Sequence, residues 1–338
     1  MTSRRFVKFV VAGQLRNEYI IDTTGKAFNN LLGGSLLYTA AAVNRWGGQT
    51  GLLGMIGQNF PLEQVEALEE MELDVRGIKI IPEIVNLTAF YAYPNGKTCL
   101  RENPVAVYAA NTLTVPKELL DYSYDDDDPM RAKYLLNSRI FIDDIPLDYL
   151  DSSAAHICPL EITCQIQLGT LLQKGAVRTL SVQPHHSSMI PACFDEIAIL
   201  SKDTAAFITN EMELRQLFQN RTDDLWEMLS GICNYGCHTA IVKNSTGGFS
   251  FFDRNTSKRY RVAEYPSQRV DPTGEMDVFC GAFLAAYHDN YDPLYSVTLA
   301  SAAASIKVEG TGPFSINASL PGLDHARMAV LRDMVTRY

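Results

Sequence analysis

Residues 270–283 read VDPTGEMDVFCGAF, and the rest of the chain is best understood from this stretch. Asp271 to Gly274 have the composition of a tight turn. Asp277 then begins an apolar run, rich in small residues, that predicts a helix. A strand that leads into a turn and then a helix brings backbone N–H groups and the positive end of the helix dipole to one point. The stretch therefore predicts an anion site, with Asp277 placed to take a proton from an attacking hydroxyl.

The same residues also allow an interpretation without a ligand. Thr273 would cap the helix, and Glu275 and Asp277 would complement its dipole, as acidic residues in a first turn commonly do. The turn alone does not separate the two interpretations.

Composition limits the classes of function. The 338 residues are 46% hydrophobic and carry a formal charge of −10, with a pI near 5.1. This charge argues against nucleic acid or an anionic membrane surface as the main partner, but it does not exclude a small nucleotide. No apolar run is long enough to span a membrane and the N-terminus lacks a signal-peptide pattern, so we expect a cytoplasmic protein.

The seven cysteines are scattered and odd in number, which favours free thiols in a reducing compartment. Cys233, Cys237 and His238 permit a metal site. Without a second pair of ligands at matching spacing, buried structural thiols are the better interpretation.

Alternating strand and helix patterns predict a doubly wound, mostly parallel α/β sheet formed by one domain over residues 1–338. The glycine pair at 33 and 34, Asn210 and the turn at 271–277 are expected at the carboxyl ends of strands, where such sheets bind ligands. Helices are predicted at 36–46 and 62–71. Strands are predicted at 6–12, 19–22, 49–56, 77–81, near Ile140, and at 155–158, 179–182, 205–208 and 239–242.

Two regions interrupt this alternation. Residues 86–103 predict a hairpin that turns at Asn95-Gly96 and is placed to cover a site. Residues 111–135 are irregular and contain the acidic run 125–128, which predicts a solvated loop rather than a metal site. The segment after Asp22 is predicted to be a polar loop.

Three separated motifs resemble the ribokinase-like carbohydrate kinase family, also called PfkB. Gly33-Gly34-Ser35, with the Ala-rich run that ends at Trp46-Gly47-Gly48 and the following Gly54-Met55-Ile56-Gly57, resembles its N-terminal signature. Asn210-Glu211-Met212-Glu213 resembles its Asn-x-x-Glu motif, although a capped helix start explains these residues equally well. The stretch at 271–283 resembles the C-terminal signature, which usually reads Asp-Thr-x-Gly-Ala-Gly-Asp.

The resemblance implies an ATP- and Mg²⁺-dependent phosphotransferase that acts on an alcohol group of a small carbohydrate or nucleoside. It implies that Asp277 is the base, with Gly274 also in the catalytic turn. It further implies that a small β lid formed by residues 14–30 and 86–108 closes the site and offers a surface for a homodimer. The implied anion hole comprises Gly274, Glu275 and Met276. The implied magnesium residues are Asn210 and Glu213. The implied nucleotide residues are Lys243, Ser245, Gly247, Gly248 and Thr273, with residues 301–312. The implied substrate residues are Glu18, Gly33, Gly34, Tyr38 and Arg101.

The chain departs from the family pattern within the catalytic turn. Glu275-Met276 replaces the usual Ala-Gly, and a side chain where φ must be positive would cost about 1 to 3 kcal/mol. An inward Glu275 carboxylate would also repel a phosphoryl group. These residues motivate an alternative, a catalytically impaired member that binds a nucleotide or sugar as a sensor or partner.

Other departures affect the substrate and nucleotide sides. Glu18 and Tyr38 replace residues that usually contact hydroxyl groups, so the sugar cannot be named. Tyr38 could stack on a ring, but it fits a core aromatic slightly better. Ser245 stands where a glycine is common.

Overall fold

A computed structural model describes residues 6–124, 140 and 144–338. Its centre is a ten-stranded sheet whose parallel part runs in the spatial order β10-β9-β8-β7-β1-β4-β5. These strands are β1 (Phe9–Ala12), β4 (Thr50–Gly57), β5 (Asp74–Ile81), β7 (Ala154–Ile157), β8 (Thr179–Val182), β9 (Ala206–Asn210) and β10 (Thr239–Lys243). Strands β1, β4 and β7 to β9 are almost entirely buried, as expected for strands covered by helices on both faces.

Three antiparallel strands extend the sheet beyond β10, and the sequence analysis did not predict them. They are β11 (Phe249–Asp253), β12 (Lys258–Val262) and β13 (Thr336–Arg337). The α/β fold with a large, mostly parallel sheet is confirmed. The strand expected directly before the turn at 271 is absent, because residues 263–270 are not paired in a sheet in the described structure.

A second, small sheet consists of β2 (Arg16–Ile21), β3 (Ala27–Gly33) and β6 (Thr88–Ala92), in the order β3-β2-β6. Strand β2 pairs antiparallel with β3 and parallel with β6. The polar loop predicted after Asp22 is therefore largely wrong, because β3 follows a short turn. The glycine pair ends β3 and lies outside the parallel sheet.

The predicted hairpin at 86–103 is also wrong in its second half. Within the described residues 92–103, there is only one antiparallel bridge, between Ala92 and Leu100. The carboxamide oxygen of Asn95 accepts the backbone N–H groups of Lys97 and Thr98, at 2.9 and 2.8 Å. Arg269 Nε donates to the carbonyl oxygen of Gly96 at 2.7 Å, so this turn is tied to the segment before the turn at 271–274 and not to a returning strand.

Helices pack on both faces of the large sheet. The described helices are α1 (Ser35–Trp46), α2 (Leu62–Glu70), α3 (Pro104–Ala110), α4 (Ile162–Lys174), α5 (Phe194–Ser201), α6 (Glu211–Leu217), α7 (Leu225–Asn234), α8 (Glu275–Asn290), α9 (Pro293–Lys307) and α10 (Leu323–Asp333).

The small residues of α8 allow close helix packing. A Cβ atom added to Gly281 would lie 2.2 Å from the carbonyl oxygen of Thr39 in α1, so α1 and α8 meet at backbone distance. This contact fixes the start of α8 over the end of the sheet. No helix among the described residues is long and apolar enough to cross a membrane.

Cys233 and Cys237 are buried with their sulfur atoms 3.5 Å apart, and no metal-binding cluster occurs in the described residues. The acidic run 125–128 lies outside the described residues, as does most of the strand expected near Ile140.

Candidate active site

The turn at residues 271–274 has the backbone that its glycine requires. Gly274 adopts φ 74° and ψ 8°, and the Glu275 N–H donates to the carbonyl oxygen of Pro272 at 3.1 Å. A Cβ atom at Gly274 would lie 2.2 Å from the ring of Tyr38. Both conformation and space therefore require glycine at this position.

Helix α8 starts two residues earlier than expected, at Glu275, with Gly274 as its N-cap. Thr273 does not cap the helix. Its hydroxyl lies 2.9 Å from the hydroxyl of Tyr93 beyond β6, and its N–H donates to Asp271 Oδ1 at 2.9 Å. The interpretation in which Thr273 merely caps the helix is wrong, and Thr273 joins the turn to the small-sheet side.

The backbone donors at the start of α8 correspond only in part to the expected anion hole. The N–H of Glu275 is already used by Pro272. Within the described residues, no acceptor takes the N–H of Gly274, Met276 or Asp277. These three groups, at the positive end of the helix dipole, form a concentration of donors suited to an anion.

Asp277 is the third residue of α8 and lies beside these donors. Burial raises the pKa of its carboxyl group from 3.8 to about 6, although the positive charge of Lys243 opposes this rise. No hydrogen bond to this carboxylate occurs in the described part of the chain. A carboxylate with a pKa near 6 and no partner is suited to accept a proton at neutral pH.

Glu275 points inward, but its charge is balanced. Its Oε2 lies 2.7 Å from Lys243 Nζ and 2.5 Å from Arg269 Nη2, and Arg269 also pairs with Glu264. Burial alone would raise the pKa of Glu275, but these two cations outweigh burial and lower it. The expected repulsion of a phosphoryl group by an unpaired carboxylate therefore does not arise.

Met276 causes no backbone strain. It is the second residue of α8, and φ is positive at neither Met276 nor Glu275. Only Gly274 in this turn needs the left-handed region. The strain of about 1 to 3 kcal/mol expected for a side chain at positive φ is therefore absent.

Two cavities meet at Met276. One, of about 480 Å³, contains Asp277, Glu18 and Gly34, and the other, of about 900 Å³, contains Asn210 and the residues that follow β10. The residues that line both cavities are Lys97, Gln183, Lys243, Arg269 and Met276. Three of these side chains are cationic, and the boundary lies at the start of α8, beside the backbone N–H groups that have no acceptor in the described residues.

The smaller cavity contains the buried carboxylate of Glu18. The hydroxyl of Tyr38 donates to Glu18 at 2.8 Å and the N–H of Gly34 at 2.9 Å. Burial raises the pKa of Glu18 to about 7, although both hydrogen bonds oppose this rise. Gly33 gives room to this carboxylate, since an added Cβ would lie 2.2 Å from Glu18 Oε2. Tyr38 is 1% exposed, which confirms a core aromatic that supports Glu18 from beneath.

Arg101 lies at the far wall of this cavity, among tyrosines. Its guanidinium lies 5.5 Å from the ring centre of Tyr91 and donates to the hydroxyl of Tyr124 at 3.0 Å. Tyr93 and Tyr122 also line the cavity. This wall combines aromatic faces with hydrogen-bond donors.

Of the expected nucleotide residues, Lys243, Ser245 and Gly247 line the larger cavity, whereas Gly248 and Ser301 line a neighbouring one. Lys243 ends β10, and Gly247 and Gly248 turn the chain into β11 with φ of 92° and 74°. The N–H of Ser245 donates to Glu211 Oε2 at 2.8 Å, a contact that the sequence analysis missed. Thr273 lines only the smaller cavity, so the structure separates it from this group.

Asn210 and Glu213 form a capping box at the start of α6. The N–H of Glu213 donates to Asn210 Oδ1 at 2.9 Å, and Glu213 Oε2 accepts the hydroxyl of Thr209 at 2.7 Å. Asn210 and Glu211 line the larger cavity, whereas Glu213 lies behind them. Of the two expected magnesium residues, Asn210 therefore borders this cavity, where an amide side chain suits Mg²⁺ held through water.

Sequence reasoning missed the residues that neutralise Glu275. Arg269 precedes the recognised motif, and Lys243 was expected only as a nucleotide residue. The available signal was Glu275 itself, because a buried carboxylate at that position requires a cation nearby.

Residues 8–318 match the sequence model of the protein family described as "pfkB family carbohydrate kinase". The chain belongs to this family.

Known pfkB-family relatives support this relationship at low identity. The chain is 24% identical over 280 residues to the cytidine kinase of Thermococcus kodakarensis, covering 82% of this chain and 87% of that protein. Among solved structures, an E. coli protein described as a candidate ribokinase II, in complex with ATP and Mg²⁺, has a TM-score of 0.70 at 19% identity, covering 96% and 99% of the two chains. The Burkholderia thailandensis nucleoside kinase in complex with inosine has a TM-score of 0.69 at 15% identity, covering 96% and 98%. These structures show the ribokinase-like fold.

Membership in the pfkB family confirms the main functional prediction, an ATP-dependent phosphotransferase acting on a carbohydrate or nucleoside. The expectation that ATP and Mg²⁺ are the cofactors is confirmed as well. Met276 is not strained and Glu275 is paired with two cations, so neither residue supports a catalytically impaired member.

Proposed function

We propose that this pfkB-family chain transfers the γ-phosphoryl group of ATP to a hydroxyl group of a nucleoside, with Asp277 as the base. The observation that carries the proposal is the junction of the two cavities above the start of α8. At this junction the Asp277 carboxylate, three backbone N–H groups and several cations lie between two ligand-sized cavities, which supports the proposal.

The roles of the side chains follow from their positions. The substrate hydroxyl would lie beside Asp277, which accepts its proton as the oxygen attacks phosphorus. The N–H groups of Gly274, Met276 and Asp277 would stabilise the negative charge of the phosphoryl group in transfer. Lys97, Lys243 and Arg269 would attract the phosphates to the junction and hold them in line with the hydroxyl.

Magnesium would neutralise phosphate charge in the larger cavity when bound. Asn210 is the described residue best placed to contact its water shell, with Glu213 fixing the orientation of Asn210 through the capping box. The backbone of residues 245–248 would pass beside the nucleotide, where Gly247 and Gly248 keep the turn narrow.

The far wall of the smaller cavity favours a nucleoside over a free sugar. Tyr91, Tyr122 and Tyr124 present aromatic surface, while Arg101 and Arg16 supply donors for the acceptor edge of a base. A free hexose has no planar aromatic ring to stack on this surface. The similarity to a cytidine kinase supports the same choice.

We further propose that the small sheet is the lid of a single kinase domain. Tyr93 and Gly96 already contact the catalytic turn and Arg269, so closure would shield the transfer from water. The outer edge of β3 would be the surface for a homodimer, because an unpaired strand edge invites pairing. Free cysteines at all seven positions support a cytoplasmic location.

Comparing kcat/KM for nucleosides and free sugars in the wild type and Tyr91→Ala tests the nucleoside assignment. We expect nucleosides to be preferred at least about tenfold, and Tyr91→Ala to lose about 1 to 3 kcal/mol of nucleoside discrimination with little effect on sugars. Tyr235→Ala, remote from the cavity, serves as the control. Equal losses for sugars and nucleosides would refute the role of this wall.

A further inference from the structure

Lys307, the last residue of α9, has a completely buried side chain that the proposed mechanism does not use. Its Nζ donates to the carbonyl oxygens of Asp271 and Gly310 at 3.1 and 2.8 Å, and it lies 3.5 Å from Asp271 Oδ2. A buried ammonium group is costly unless oxygen atoms surround it, and here three oxygen atoms do. This arrangement places a fixed cation directly beneath the catalytic turn.

The oxygens around Lys307 belong to the turn itself. Asp271 Oδ1 accepts the N–H of Thr273, while its Oδ2 faces Lys307. The N–H groups of Val270 and Asp271 both donate to the carbonyl oxygen of Val308, at 2.7 and 3.0 Å. The segment that starts at Lys307 therefore holds the backbone that leads into Gly274.

The ammonium group of Lys307 also lies close to the residues of the smaller cavity. Lys307 Nζ lies 5.4 Å from the ring centre of Tyr38, whose hydroxyl donates to Glu18. That ring fills the space where Gly274 lacks a side chain. The charge of Lys307 stabilises the ionised forms of two buried acids of this cluster, Glu18 and Asp271.

We propose that Lys307 is a positioning residue whose ammonium acts as a built-in monovalent cation for the anion-binding turn. It holds the carbonyl oxygens of Asp271 and Gly310 together and thereby orients the N–H donors of Gly274 and Met276 and the carboxylate of Asp277. Removing the side chain leaves a space lined by the same oxygens. A small cation such as ammonium or K⁺ would fit there, whereas choline would not.

The test compares wild type, Lys307→Ala, Lys307→Met and Lys8→Ala in ammonium, potassium or choline chloride at equal ionic strength. Lys8, in an exposed pair with Asp289, controls for general effects of losing a lysine. We expect the unfolding temperatures of wild type and Lys8→Ala to be equal in all three salts. Lys307→Ala should unfold at lower temperature in choline and recover at least half of that loss in ammonium or K⁺. Lys307→Met, whose chain fills the space without charge, should not recover.

The kinetic part rests on the proposed function. We expect Lys307→Met to lower kcat about a hundredfold with KM for the alcohol changed less than threefold, as expected when a reacting group is misplaced rather than lost. Ammonium should restore kcat in Lys307→Ala. Wild-type turnover by Lys307→Met, or no salt response in Lys307→Ala, would overturn the proposal.

The salt response of stability is independent of turnover. If the wild type phosphorylates no alcohol, the proposed function fails while the unfolding data still decide the role of Lys307. If Lys307→Ala does not fold in choline, refolding in ammonium or K⁺ replaces the comparison. Folded protein only with the small cations supports the proposal, and no recovery in any salt contradicts it.

Discussion

Replacing Asp277 with asparagine should abolish activity and at the same time stabilise the fold. The carboxylate is half-buried beside the start of α8, and loss of its hydration raises its pKa from 3.8 to about 6. Since one pKa unit corresponds to about 1.36 kcal/mol, holding this charge in the folded protein costs about 3 kcal/mol at high pH. Asparagine keeps the shape and removes the charge.

The pH dependence of this effect has a definite sign. A carboxyl group whose pKa is raised by folding favours the folded state below its unfolded pKa of 3.8, and this contribution is lost as pH rises through about 6. We therefore expect Asp277→Asn to be more stable than the wild type by about 3 kcal/mol at pH 8 and by roughly half of that at pH 5.

Urea unfolding at pH 5 and pH 8 measures the difference, and ADP release measures activity, which should fall by about 10² to 10⁴-fold. The matched control is Asp195→Asn, an exposed aspartate in the first turn of α5, for which we expect a change within about 0.5 kcal/mol. If Asp277→Asn is as stable as the wild type at pH 8, or less stable, then folding does not raise the pKa of an unpaired Asp277 carboxylate.

Three further predictions concern the residues around Asp277. Gly274→Ala should destabilise the protein by more than about 2 kcal/mol in urea unfolding, because it adds a clash with Tyr38 to the strain at φ 74°. The control is Gly322→Ala, which has φ 79° but open space around it and should cost about 1 kcal/mol. Equal losses of stability in the two variants would contradict the clash. Glu275→Ala should lower stability by about 3 kcal/mol because Lys243 and Arg269 lose their buried partner, and a loss below about 1 kcal/mol would show that the pair is not formed. KM for the alcohol substrate should fall as pH rises from 6 to 8 in the wild type, because Glu18, with a pKa of about 7, ionises and becomes an acceptor for a substrate hydroxyl. Glu18→Gln should remove this pH dependence of KM. If the dependence persists in Glu18→Gln, a group other than Glu18 causes it.

The parallel core of the fold could be predicted because its strands are continuous apolar runs separated by helical periods. The antiparallel strands β11 to β13 were missed because they are short, and β12 and β13 are rich in charged and polar residues. Strand β3 was missed for a similar reason, since its AFNNLLG sequence combines polar residues with an ordinary turn before it.

The candidate site was predictable where a local motif fixes the backbone. Gly274, Asp277 and the capping box of Asn210 and Glu213 lie where their motifs place them. The ion pairing of Glu275 could not be predicted, because its partners Lys243 and Arg269 lie 32 and 6 residues away in sequence and the tertiary fold brings them together. The role of Lys307 was hidden for the same reason, since it reaches the turn from the end of another helix.

The most direct test of the central claim is to measure ADP and phosphorylated product together, for ATP with a panel of nucleosides and sugars. We predict equimolar ADP and nucleoside monophosphate from the wild type, with product formation lost in Asp277→Asn. ATP hydrolysis without a phosphorylated alcohol, or product formation unaffected by Asp277→Asn, would contradict the account.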